Sequence, residues 1–276
     1  MGSMIVDGIA RQPLPYGLFS VLVPRTSADP HWEIDGVMWE TLTCEPVSGI
    51  GVYNCDDPDA TTGLPKGFAS AGDLGEADVF HVYGSHSCTP VGHTPEYVQQ
   101  RAQEHLQARE EAFAEQAIWT GDLYEDPDGQ NGFAEGATEV ITGESLARSI
   151  AALEQWIAQT YGSQGVLHMT REAALLGIGA QVLTVVGNVL RTGLGTPVVA
   201  GAGYPGTGPA GEDPAADATY IYVTPGLLGY RSEIFGGADP VQAGFNKDNN
   251  DMNAVAERTY SIGWDPCGVG YALASL

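Results

Sequence analysis

From Thr94 to Trp119 the apolar residues Val98, Ala102, Leu106, Phe113 and Ala117 fall on one stripe of a helix. Glu104, Glu110, Glu111 and Glu115 decorate the remainder. Thr94 suits the N-cap, Pro95 the first helical position and Glu96 the positive end of the helix dipole, and Gly121 stops the run. Such a helix is ~37 Å long. With one apolar stripe it cannot sit inside a core. It needs a flat apolar partner along its length, and a sheet supplies one.

The end of the chain signals a partner. Arg258, Tyr260, Ile262 and Trp264 alternate with Thr259, Ser261 and Gly263, the period of a half-buried strand. After a turn at Asp265-Pro266 the alternation resumes through Cys267, Val269, Tyr271 and Leu273. Chain ends fray unless a sheet ties them down. This end is therefore expected to complete a sheet begun elsewhere.

Residues 1 to about 24 read as an arm. RQPLPYGLFSVLVPR has prolines at both ends and a short apolar run from Leu18 and Phe19 to Val23. It needs a covering surface, its own or a neighbour's. In the next stretch Trp32 and Ile34 alternate with Glu33 and Asp35, and Asp35-Gly36 signals a two-residue hairpin. A long polar loop precedes a further strand, VFHVYGSHSC. Beyond the long helix, Leu146, Ile150, Leu153 and Ile157 form the stripe of a second helix, from about 143 to 161. GVLHMT is a short strand, and Thr170 caps a third helix ended by glycines. Strands follow in VLTVVGNVL, TPVVAG and TYIYVTPGLL. The class is α+β.

Charge and motifs remove several functions. The net charge of −24 on 276 residues repels phosphate backbones and anionic bilayers, which argues against nucleic-acid recognition and membrane binding. No signal-peptide pattern opens the sequence, and the longest uncharged run, 173–190, carries Gln181, Thr184, Asn188 and three glycines, unlike a membrane span. Cys44, Cys55, Cys88 and Cys267 match no zinc or redox spacing and read as buried or idle thiols. GAGYPG (201–206) fits a dinucleotide fingerprint by letter, but no helix follows to hold a pyrophosphate. His81, His86 and His93 lie close in sequence without metal-site spacing, and His105 reads as a solvated residue on the exposed side of the long helix. Asp126 and Asp128 suit a calcium loop, but Asn131 and Ala137 stand where glycine and glutamate are required. No catalytic residue, cofactor or metal ligand is expected.

In order, the chain offers an arm, a long hairpin region, a spine helix, a compact helix-and-strand region and a returning strand. This organisation resembles the major capsid protein of tailed phages, whose fold encapsulins share. The segments that carry the likeness are HVYGSHSCTPVGHTPEYVQQRAQEHLQAREEAFAEQAIWTG, LHMTREAALLGIGAQVLTVVGNVLRTGLGTPVVAGAGYPG and VAERTYSIGWDPCGVGYALA. The resemblance implies an N-terminal arm (1–24) reaching onto a neighbouring subunit and an extended β-hairpin loop with flanking strands (25–92). A peripheral domain with the spine helix (93–143), an axial domain (144–244) and returning peripheral strands (245–276) would follow. Assembly contacts are expected at Leu18, Phe19, Trp32, Trp39 and Phe68. The implied function is a non-enzymatic virion shell: pentamers and hexamers of the chain closing an icosahedral container around packaged double-stranded DNA, assembled in the host cytoplasm. The short arm implies a separate scaffold or prior cleavage, and a decoration protein is a further partner. Lys66 is the one lysine in the loop region, and no surrounding pattern supports a cross-link there. The alternatives are a tail-tube or decoration protein, an encapsulin-type compartment and a small-ligand enzyme. Three helices count against a tail tube, which should be nearly all β.

Overall fold

The computed structural model describes residues 11, 13–27, 29–47, 72, 74–89, 91–122, 132–235, 244–246 and 250–276. Phe68, Lys66, Cys55 and the Asp126–Asp128 turn lie outside them. The elements run in the order α1 (Leu18–Val21), α2 (Trp32–Asp35), β1 (Val37–Glu40), β2 (Leu74–Ala77), β3 (Val79–Cys88), α3 (Pro95–Gln107) and α4 (Glu110–Thr120). Next come β4 (Thr138–Ser145), α5 (Leu146–Thr160), β5 (Val166–Thr170), α6 (Arg171–Gly179), β6 (Leu183–Val186), β7 (Val189–Thr192) and β8 (Pro197–Gly201). The chain closes with β9 (Ala218–Thr224), β10 (Leu227–Arg231), β11 (Gly244–Asn246), β12 (Asp251–Trp264) and β13 (Gly270–Ser275).

One sheet is organised by β12. Strand β3 pairs antiparallel along one side of it, from Met252↔Cys88 to Ser261↔Val79, and β10 and β11 pair with its other side. Helix α3 lies across β3 and β12 with Val98, Ala102 and Leu106 buried beneath it. Thr94 caps α3 through its side chain, and Pro95 opens it. The spine on a sheet is thus present, but its strand is covered on both faces. Thr259 and Ser261 are buried as fully as Tyr260 and Ile262, because Ser261 Oγ donates to Ala77 O (2.8 Å) and seats the β1–β2 ribbon on the second face.

The second sheet has seven strands in the order β4-β13-β9-β5-β8-β7-β6. Its central strands β5, β8 and β9 are buried on both faces, which explains their near-continuous apolar sequences, whereas β4 and β6 at its edges are largely exposed. Leu167, Met169, Val198, Ala200, Ile221, Val223, Ala272 and Ala274 pack under α5 and α6; Val166, Val199 and Tyr222 face the core that α4 shares with the first sheet. The α5 stripe, Leu146, Ile150, Leu153 and Ile157, is buried as its spacing requires, and Ser145 caps the helix.

Four expectations change. The long helix is two: Arg109 leaves helical geometry (φ −136°), and the phase of the second half rotates. Ala114, Ala117 and Ile118 then face inward, while Phe113 is 44% exposed. The rotation carries Glu110 and Glu115 into the interior, where Glu110 meets Arg258 and Tyr260, and Glu115 meets the backbone N–H groups of Leu18 and Gly203. The segment at Trp32–Asp35 is a helical turn, not a strand. Gly36 ends it with φ 75°, and the strand that starts at Val37 pairs with β2 rather than with the preceding residues. Two alternating pairs are too short to separate strand from helix, and Asp29-Pro30 ahead of them starts the turn, with Glu33 N donating to Pro30 O (3.1 Å). The last strand does not close the sheet under the spine helix; β12 does that. β13 is an interior strand of the seven-stranded sheet, between β4 and β9, and Leu276 N donates to Asp217 O (2.8 Å). Finally, two of the supposed idle thiols, Cys44 and Cys267, are joined as a disulfide.

Candidate functional site: the arm seat and the loop base

The described part of the arm folds onto its own subunit instead of reaching away. Leu18 is fully buried, and Phe19 stacks on Tyr260 with ring centroids 5.8 Å apart. Its backbone is gripped at several points. Leu18 N donates to Glu115 Oε1 (2.9 Å), Phe19 N to Glu111 Oε1 (2.8 Å), and Arg171 Nη1 to Pro15 O (2.9 Å). Ala200 N donates to Tyr16 O (2.8 Å), and Arg25 exchanges backbone bonds with Gly229 and Arg231. The second oxygen of Glu115 accepts from Gly203 N (2.8 Å). Glu115 is 1% exposed, and burial, the largest cause, pushes its carboxyl up to about 7 against the backbone N–H groups and with help from Glu111.

Two glycines make the seat possible. A Cβ on Gly17 would stand 2.4 Å from Glu111 Oε1, and one on Gly203 would stand 1.8 Å from Ala112 O. The GAGYPG turn is thus a packing device, letting a loop backbone touch α4. Gly203→Ala is expected to destabilise the subunit, since α4 or the loop must move; thermal melts of the variant will read it.

The loop base is anchored around the turn between β12 and β13. Trp39 Nε1 donates to Asp265 Oδ1 (2.9 Å) and Tyr161 Oη to Asp265 Oδ2 (2.7 Å), two residues from the Cys44–Cys267 bond. Trp32 is buried, its ring 5.7 Å from Tyr230. Leu18 and Trp32 are therefore spent inside the subunit, Phe19 and Trp39 are half-buried there, and Phe68 lies outside the described residues. The exposed apolar side chains are others. Ile34, Met38, Leu42 and Leu74 stand near the loop base; Leu175, Leu176, Val185, Val186 and Leu194 belong to α6, β6 and the turn after β7.

Trp119, Phe133, Tyr204, Tyr222 and His168 form an aromatic cluster between α4 and the seven-stranded sheet. His168 Nδ1 bonds Tyr204 Oη (2.7 Å) and Nε2 bonds Thr224 Oγ1 (2.9 Å), and burial pushes the ring's pKa down to about 3. A depressed histidine contributes stability that is complete above its ordinary 6.5 and is lost as pH falls toward 3, at about 1.4 kcal/mol per pH unit. The ring resonances of His168 should show no titration between pH 8 and 5.

The other histidines lie outside this cluster, and His86 and His93 share the Tyr97 ring. His81 bonds Thr259 Oγ1 (3.0 Å), His93 stacks on Tyr97, and His105, expected to be merely solvated, bonds Ser85 O (3.0 Å). Among the described residues no three His, Cys, Asp or Glu side chains are grouped to hold a metal ion. A groove of about 360 Å³ beside α5, lined by Val140, Arg148, Ala152, Gln155 and Trp156, presents no acid, histidine or cysteine.

No family model matches the sequence, and no curated protein matches it. Solved structures do. The capsid of a native GTA particle, computed with C5 symmetry, is 12% identical; the alignment covers 100% of this chain and 95% of that one, with a TM-score of 0.58. A structure from Microbacterium phage Oxtober96 is 11% identical over 100% and 96% of the chains, with a TM-score of 0.55. One from Gordonia phage Cozz gives 11%, 100% and 91%, and 0.54. The fold is that of tailed-phage major capsid proteins.

Sequence reasoning missed Glu110, Glu115, Arg258 and Asp265 as interior anchors. A signal for Glu115 was present: it sits among Ala114, Ala117 and Ile118, small and apolar neighbours that leave room for a buried carboxylate. The cysteine pairing had none, since a separation of 223 residues leaves no local pattern.

Proposed function

We propose that this chain is the major head protein of a tailed-phage-type particle. It self-assembles as pentamers and hexamers into an icosahedral shell around packaged double-stranded DNA, in the host cytoplasm, with a separate scaffold or decoration protein as further partners. The observation that carries the reading is a likeness to a particle capsid spanning this whole chain and 95% of that one. The exposed apolar side chains on α6, β6 and the β7–β8 turn suit a chain whose copies cover one another. The α5 groove, without titratable acids or bases beyond Arg148, gives an enzyme reading nothing to act with.

In this reading the arm is 1–24, the extended loop 25–92, the peripheral domain 93–143 with returning strands in 245–276, and the axial domain 144–244, except that by strand pairing β4 and β13 go with the axial sheet and β10 and β11 with β12. The assembly contacts move from Leu18 and Trp32 to the exposed set, with Phe68 retained on the loop. Sedimentation of the purified chain tests this: capsomer- or shell-sized species support it, and a compact monomer at every concentration contradicts it. Val186→Asp combined with Leu194→Asp should leave the melting temperature within about 2 °C, because both side chains are exposed, and abolish the large species.

A further inference from the structure

We infer that the arm's seat is a proton-linked latch: Glu111 and Glu115 of α4 hold the backbone of Gly17–Phe19 against the Gly203 turn, and the arm seats more firmly as pH falls and loosens as pH rises. The inference does not depend on the shell reading.

The geometry is two carboxylates from one helix gripping backbone N–H groups of two separate segments. Glu115 takes Leu18 N and Gly203 N, and Glu111 takes Phe19 N. Nothing positive touches Glu115. Arg171, which lines the same hollow, spends its bonds on Pro15 O and Ala200 O, and its charge lowers Glu111 by less than burial raises it. The other titratable groups around the seat are Glu110 and Glu111 on the same helix, Tyr204 after β8, Tyr16 on the arm, and Tyr260 and Arg258 on β12, the last already held by Glu110. A carboxylate covered by the arm loses its water, which favours the protonated form and outweighs the backbone N–H bond that it gains; Glu111, four residues away on the same helix, is its like-charged neighbour in either state. Tyr16 is held at φ 66°, left-handed geometry that costs a non-glycine residue energy and that the seated arm must maintain.

The sign follows from burial. With the arm away, Glu115 keeps the Gly203 N bond but loses the cover of Leu18 and moves back toward the ordinary 4.5; with the arm seated, burial pushes it up to about 7. The raised group contributes seating strength that is complete below about 4.5 and is lost as pH rises through about 7. Whole-chain stability masks this, because His168 contributes a slope of opposite sign over the shared span from 4.5 to 6.5. A local readout is required.

Amide hydrogen exchange of the full chain, corrected for intrinsic rates, supplies it. Protection of Leu18, Phe19 and Gly203 relative to Tyr222 should fall by up to about tenfold per pH unit between pH 5 and 7. Glu115→Gln should retain seating and remove that slope. Arm protection independent of pH in the natural chain, or an unchanged slope in Glu115→Gln, overturns the inference. Should the variant lose core protection, the carboxyl carbon resonance of Glu115 in the natural chain decides: a midpoint well above 4.5 supports the latch, and a midpoint near 4.5 overturns it.

Discussion

Reducing the Cys44–Cys267 bond in the isolated subunit will lower its stability by up to ~5 kcal/mol. The bond joins residues 223 apart in sequence, and closing so long a loop removes a large entropy from the unfolded chain. For a chain of this size the loss corresponds to a fall of about 10 °C in melting temperature. Calorimetry with and without a thiol reductant, and of Cys44→Ser, will read it; superimposable melts would show that the bond adds nothing. The effect should concentrate at the loop base. Without the bond, β1 and its flank are held at the β12–β13 turn chiefly by Trp39 on Asp265 and by Ser261 on Ala77. Limited proteolysis within residues 41–47 should therefore speed up more than cleavage in the α5 region.

Glu110→Ala will cost about 3–5 kcal/mol, because it strands a buried cation. Arg258 Nη1 lies 2.9 Å from both oxygens of Glu110, Tyr260 Oη donates to Glu110 Oε2 (2.9 Å), and the two charged side chains are only 12% and 10% exposed. Arg258 Nε already lacks a partner, and the Tyr260 hydroxyl that also bonds Arg258 is neutral and cannot balance the charge. Glu110→Leu combined with Arg258→Met should recover most of the loss, since an apolar pair of similar volume avoids both desolvation costs. Denaturant unfolding of the three variants separates the outcomes. A small effect of Glu110→Ala would mean that water reaches Arg258. The exposed pair Arg101–Glu104 on α3 is the contrast, worth at most about 1 kcal/mol.

What the sequence disclosed was whatever local rules control. Thr94 and Thr170 cap helices where they stand, and the Leu146–Ile157 stripe is buried because four apolar residues at helical spacing leave one way to face a sheet. The order of elements sufficed for the capsid resemblance. What stayed hidden was long-range. The break at Arg109 carries neither proline nor glycine; what it turns inward is Glu110, whose partner Arg258 lies 148 residues further along the chain. Asp29-Pro30 outweighed a strand-like alternation of four residues at Trp32. β13 shares the alternation of β12 yet belongs to the other sheet, because period two says nothing about which neighbour a strand pairs with. The arm's destination turned on two glutamates that looked like surface decoration.

In the proposed shell, with the described arm and loop base docked on their own subunit, contacts between copies fall to the exposed side chains of α6, β6, β1 and β2. Electron microscopy of the purified, concentrated chain tests the shell assignment most directly. The account predicts closed particles, or five- and six-fold rings, built from copies of this chain. A field of uniform single subunits, without rings, sheets or shells at any concentration, would contradict it.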